Sequence, residues 1–210
     1  NQQTSIDMIG VDDIKRDAGV TPFDFIKIDT DGYDFSVLNS ADRSLQTSTL
    51  GVLIESNFHG TTGTRSNTFA NIDIFLRERG FSLFAIIGPH KYARACFPDQ
   101  FNLGFPCQSN NGQVVWADCL YLRDVLAPDY FTLNDIEFKL PQLIKLILIA
   151  LIFDQDDFAV ELLLAYRGDI NDDLLIKGVL DQITNYRYGV NSYDDYITDF
   201  YANNVSRSQK

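Results

Sequence analysis

Positive charge is scarce in this 210-residue chain, where 17 Lys and Arg face 29 Asp and Glu for a formal net charge of −12. Such a surface repels phosphate backbones, and no run of Lys or Arg is long enough to reverse it. Nucleic acid is therefore not expected as a partner. Cysteine is scarce too. Cys96, Cys107 and Cys119 form an odd set with no CxxC pair, which reads as free thiols in a reducing compartment and gives a cytoplasmic expectation. A zinc site would have only His59 and His90 to draw on, at no ligand spacing, so no zinc centre is expected. No apolar stretch reaches the roughly 20 residues that a bilayer crossing needs. No leader of basic then apolar residues, internal repeat or low-complexity tract is visible. The first residue is Asn1 rather than Met, and the expectation is a piece of a longer polypeptide or a processed form.

What is present suits a folded globule: 45% of residues are hydrophobic and 13% aromatic, enough for one ordinary domain or a domain with a helical annex. From residue 4 to about 125 the pattern alternates strand and helix. "VDDIKRDAG" reads as a short helix stopped at Gly19. "FDFIKID" and "LGVLIES" are short apolar runs of the kind buried on both faces of a sheet, with "DFSVLNSA" a helical turn or two between them. "NTFANIDIFLRERG" is the clearest helix, ended by Gly80. "FSLFAII" and "QVVWADCLYLR" read as further strands, separated by a connection over 88–113 whose Tyr92, Phe97, Phe101 and Phe105 either cover a pocket or pack on the sheet edge. This alternation is the signature of a parallel α/β sheet covered by helices.

From about Thr132 the sequence turns helical. "PQLIKLILIALIF" is apolar nearly all round and is expected to be buried among other helices, with a subunit interface as the alternative. "DDFAVELLLAYRG" and "NDDLLIKGVLDQITNYRYG" follow, each acidic at its start with a glycine past its end. "SYDDYITDFYANN" reads as a last helix and "VSRSQK" as a frayed end.

The chemistry concentrates in "FIKIDTDGYDFSVL", where Asp29, Asp31 and Asp34 bracket Gly32 directly after an apolar strand. An EF-hand calcium loop fails on register, because counting from Asp29 puts Tyr33, Asp34 and Ser40 at the fifth, sixth and twelfth positions. "IKIDTDG" also resembles the first motif of haloacid-dehalogenase-like phosphatases, with two carboxylates at i and i+2 for nucleophile and acid. Tyr33 stands where that family has Thr, and no acidic pair follows a later strand.

A larger pattern covers roughly residues 4 to 125. "DFIKIDTDGYDFSVLNSA", "LGVLIES", "FLRERGFSLFAI" and "WADCLYLRD" together resemble the carboxy-terminal part of FkbM-type S-adenosylmethionine-dependent methyltransferases. Lys27, Asp29, Gly32, Val37, Leu38, Glu55, Gly80 and Asp118 fall on that pattern in order, with Asp31 where the family usually has Glu. The resemblance implies a partial Rossmann-like methyltransferase sheet of about four strands over 4–125, followed by a helical extension over 132–205. It also implies S-adenosylmethionine as cofactor and a hydroxyl on a sugar or natural-product scaffold as acceptor.

In an open α/β sheet, ligands sit beyond the carboxyl ends of the strands, where Asp29, Asp31, Glu55 and Ser56 all leave. Asp29 is the expected base or acceptor-positioning group, Asp31 or Glu55 orients the substrate or holds a metal, and His59 is the second candidate base. Asp29 and Gly32 are the cofactor-binding expectations. Against these stand plainer roles: helix capping for Asp31 and Asp34, a charge pair for Lys27, and a strand-end position for Asp118. The glycine-rich turn that grips the cofactor in such enzymes does not precede residue 25. A weakly binding or inactive fragment that pairs with another copy or uses its helical tail as cover is therefore expected, and a non-catalytic oligomerising module is the alternative.

Overall fold

The computed structural model describes residues 9–19, 23–92, 112–128, 130 and 138–205. Phe97, Phe101, Phe105, Cys96 and Cys107 lie outside these residues, as does the terminal "SRSQK". The chain forms two compact units, divided between Glu137 and Phe138.

The first unit is a four-stranded mixed sheet with helices. Its elements in order are α1 (Val11–Ala18), β1 (Phe25–Ile28), α2 (Asp34–Ser40), α3 (Asp42–Thr47), β2 (Gly51–Asn57), α4 (Phe69–Arg77), β3 (Phe81–Tyr92) and β4 (Gln113–Arg123). The strand order is β1-β2-β4-β3. β1 and β2 pair in parallel with Ile28 beside Ile54, whereas β4 runs antiparallel to both β2 and β3. β1, β2 and β3 thus point one way, as the alternating pattern predicts, and β4 alone is reversed. The reversal corrects the expectation of an all-parallel sheet. β4 inserts between β2 and β3 and pairs antiparallel with both, so its backbone groups are met on both edges by the antiparallel hydrogen-bond ladder.

Alternation along the strands sorts their side chains. Ile28, Val52, Ile54, Cys119 and Tyr121 pack with Leu38, Leu45, Ile72 and Leu76 of α2, α3 and α4 in one buried core. The opposite face carries Lys27, Leu53, Glu55 and, across from them on β4, Leu120 and Asp118. There Gly51 fits a tight spot, since a Cβ at that position would stand 2.8 Å from Phe25 and 2.9 Å from Leu122. Arg123 is buried at the end of β4, where its guanidinium donates to the carbonyls of Leu45, Thr49 and Arg79 and to the Tyr130 hydroxyl. One side chain so ties the exits of α3 and α4 to the sheet. β3 is longer than its apolar run suggests and includes Pro89. The strand absorbs that residue through register shifts around 87–91, with Gly88 at φ 58°.

The second unit is helical: α5 (Leu140–Ile152), α6 (Asp156–Ala165), α7 (Arg167–Ile170), α8 (Asp173–Tyr188) and α9 (Tyr193–Val205). Pro141 sits in the first turn of α5, where its missing N–H costs nothing. α5 packs on α6, α6 on α8, and α8 on α9. Asp172 caps α8 by accepting from the Leu175 N–H at 3.0 Å, and Gly189 ends it in a left-handed conformation. Gly168, expected to stop the preceding helix, lies inside α7, and Asn171 takes the left-handed cap instead. The expectation of a fully buried α5 holds for one side only. Leu143, Leu146, Ile147 and Ala150 are buried, while Leu140, Ile144, Leu148 and Ile152 form an exposed stripe at fourfold spacing. Among the described residues no helix is long and apolar enough to cross a membrane.

Candidate functional site

The bend after β1 is built around Asp34. This carboxylate is fully buried although it stands in the first turn of α2. One oxygen accepts from the Thr30 N–H at 2.8 Å and the Thr30 hydroxyl at 3.0 Å. The other accepts from the Gly32 N–H at 3.1 Å and from Asn67 Nδ2 at 3.0 Å. Asn67 also accepts from the Phe35 N–H at 2.9 Å through its side-chain oxygen, so the segment before α4 is pinned to the start of α2. Two consecutive left-handed residues complete the turn, Asp31 at φ 51° and Gly32 at φ 109°. Asp tolerates that region better than most residues, and glycine does so without strain.

This geometry places the expected residues as follows. Asp29 is exposed and pairs with Lys27 at 3.1 Å. Asp31 is exposed on the bend. Glu55 is half-buried on the neighbouring strand, one position beyond the Ile28–Ile54 pairing and therefore beside Asp29. Across β4, Glu55 lies opposite Asp118. Burial raises the proton affinity of Glu55, and the negative charges of Asp34, Asp29, Asp118 and Asp31 raise it further. Lys27 is held more firmly protonated by its bond to Asp29, with Asp118 adding a smaller pull. The sheet thus brings Asp29, Asp31 and Glu55 into one electrostatic field, joined by Asp34 and Asp118, with Lys27 as counter-charge. These carboxylates do not form a metal nest. Among the described residues, no three His, Cys, Asp or Glu side chains are gathered closely enough to hold an ion.

His59 lies four residues beyond Glu55, past the end of β2. It is exposed and helps line a separate pocket of 360 Å³ between the end of β2 and the start of α4, together with Asn57, Phe58, Thr62, Thr68 and Phe69. Two structural roles were hard to see in the sequence. Asp34 looks like one more acidic residue, yet it is the knot of the bend. Asn67 lies 33 residues from it, and only the folded chain shows that they meet. A polar residue just ahead of an amphipathic helix was the one available signal.

An open α/β sheet whose carboxylates collect at the carboxyl ends of parallel strands belongs to the class of folds that bind small substrates at that edge. The comparison with known families narrows this: residues 2–83 match the methyltransferase FkbM domain. The match spans α1 to the first residues of β3 and includes Asp29, Asp31, Gly32, Glu55 and His59; β4 with Asp118 and the helical unit lie outside it. No curated protein and no solved structure matches the chain. S-adenosylmethionine is the cofactor of that family. The donor set here fits its cationic sulfonium end, since acidic groups dominate the bend. It does not resemble a cradle for the cofactor's carboxylate, because the Thr30 and Gly32 N–H groups are already donated to Asp34.

Proposed function

We propose that this chain is the carboxy-terminal portion of an S-adenosylmethionine-dependent O-methyltransferase acting on a hydroxyl of a sugar or natural-product scaffold. The observation that carries the reading is the match of residues 2–83 to the methyltransferase FkbM domain, laid over the strand ends that present Asp29 and Glu55. The bound cofactor supplies an electrophilic methyl group. This chain's residues would supply the other half of the chemistry, holding the acceptor hydroxyl and taking its proton.

Glu55 is the better proton acceptor of the two. Its surroundings raise its proton affinity, which brings a carboxylate closer to the range useful for a general base. Asp29, fixed by Lys27, orients the hydroxyl and faces the sulfonium charge. Asp31 shapes the same field from the bend, and Gly32 lets the backbone make the turn. His59 serves the neighbouring pocket rather than this carboxylate edge.

Transfer of a labelled methyl group from S-adenosylmethionine to hydroxylated acceptors, by the polypeptide carrying this chain, tests the reading. Glu55→Gln and Asp29→Asn are each expected to lower kcat by about 100-fold or more, the usual scale of acid–base and positioning contributions. Unchanged turnover in both variants would remove the carboxylates from the mechanism. Residues 1–210 alone are proposed to bind the cofactor weakly, and tight stoichiometric binding in a calorimetric titration would contradict that part.

A second reading, an oligomerising interaction module, is favoured by one feature: the exposed stripe of Leu140, Ile144, Leu148 and Ile152 on α5. It predicts concentration-dependent self-association in sedimentation that Leu148→Glu weakens, and a monomer at every concentration would rule it out.

A further inference from the structure

The pocket between β2 and α4 differs chemically from the carboxylate edge beside it. No residue lining it is an Asp, Glu, Lys or Arg, in a chain where 22% of residues are charged. Its polar groups are of the kind that both donate and accept: the amide of Asn57, the imidazole of His59, and the hydroxyls of Thr62 and Thr68. Its apolar wall is an aromatic pair, Phe58 and Phe69, stacked with ring centroids 5.0 Å apart. At 360 Å³ it falls at the small end of the range in which proteins hold small molecules.

The pocket is also rigidly framed. Asn71 Nδ2 donates to the Gly63 carbonyl at 2.9 Å and to the Ser66 carbonyl at 2.8 Å, and the Thr61 and Ser66 hydroxyls bond to each other. Asn67 anchors the far end of the loop to Asp34 and Phe35. Such a frame keeps the cavity open without a ligand, so less ordering is needed when one binds.

From this lining we infer that the pocket is a specificity subsite for an uncharged ring that bears hydroxyl groups on one edge and an apolar face on the other. The apolar face lies toward Phe58 and Phe69, and the hydroxyls exchange hydrogen bonds with Asn57, His59, Thr62 and Thr68. A charged ligand would leave water for a lining that offers no counter-ion. Because Asn57 ends the strand that carries Glu55, a ring held here stands at the edge where the proton acceptor is proposed. Calling that ring the methyl acceptor rests on the proposed function; its binding does not.

The test is an amide NMR titration of the chain with phenyl β-D-glucoside as probe, up to about 20 mM, since a fragment of this size binds in the millimolar range. The expected result is progressive shifts at residues 58–62 and 68–71, abolished by Ala70→Trp, which fills the cavity from an exposed position on α4. Should that variant not fold, Thr62→Trp closes the pocket from the loop side. No shifts at these residues, or shifts undiminished in the filled variant, would overturn the inference. So would inorganic phosphate binding there more tightly than the glucoside, which would mark an anion site. Methyl transfer is not read in this experiment, so failure of the subsite and failure of the enzymatic reading remain separate results.

Discussion

Replacing Asp34 with Asn removes one negative charge and almost no volume, yet the structure makes it a severe change. Each carboxylate oxygen serves two donors, the Thr30 N–H and hydroxyl on one side and the Gly32 N–H and Asn67 Nδ2 on the other. The amide of Asn has only one acceptor oxygen, so its NH₂ faces either the Gly32 N–H and Asn67 Nδ2, both donors, or the Thr30 pair, of which only the hydroxyl can turn to accept. Asn67 cannot answer by turning its own oxygen inward, because that oxygen accepts from the Phe35 N–H. One or two hydrogen bonds to a charged acceptor are lost, each contributing about 1.5–3 kcal/mol. Thr30 and Gly32 are exposed enough for water to repair part of the loss, so the expected net destabilisation is about 2–4 kcal/mol.

Urea unfolding of the first unit, followed by the fluorescence of Trp116, the single tryptophan, measures this directly. The matched control is Asp31→Asn, three residues away. Asp31 is exposed at φ 51°, a conformation Asn accepts at least as readily as Asp, and the expected change is within about 0.5 kcal/mol. Asp34→Asn within the same narrow limit, or both variants destabilised alike, would refute the assignment of Asp34 as the knot of the bend.

Three further outcomes follow from the same structure. Glu55 has a raised proton affinity in the folded state, so its contribution to stability is present at acid pH and is lost as pH rises through its folded pKa. Glu55→Gln should therefore stabilise the fold at neutral pH and lose that advantage below the ordinary glutamate range; equal stability of variant and parent at neutral pH would contradict the electrostatic account. Arg123→Met strips the carbonyls of Leu45, Thr49 and Arg79 of a buried donor and should cost about 3–5 kcal/mol in chemical denaturation; a change under about 1 kcal/mol would show that water or a rearranged backbone replaces it. Gly51→Ala drives a methyl group into Phe25 and Leu122, and a loss of about 1–3 kcal/mol is expected, with an unaltered unfolding midpoint as the contrary result.

Strand and helix identity were largely local matters. The apolar runs of β1, β2 and β4 needed no distant partner to be recognised, and neither did the facial pattern of α4 or the glycine ends of α1 and α8. Those signals come from side-chain periodicity and backbone preference within a few residues. α3 escaped notice because "DRSLQT" is a six-residue helix whose start is capped from elsewhere, by Asp12 accepting from the Arg43 and Ser44 N–H groups. Gly168 misled for a related reason: a glycine is permitted at a helix end without being required there.

The amino-acid order by itself determined where β1, β2 and β4 and the longer helices lie, and that three aspartates crowd one glycine after a strand. Tertiary structure alone decided the direction of β4, the meeting of Asp34 with Asn67, and the field that Asp29 and Asp118 impose on Glu55. The physical reason is range. Propensity and hydrophobic period act over a few residues, whereas strand pairing, buried hydrogen bonds and charge coupling depend on which distant residues the folded chain sets side by side.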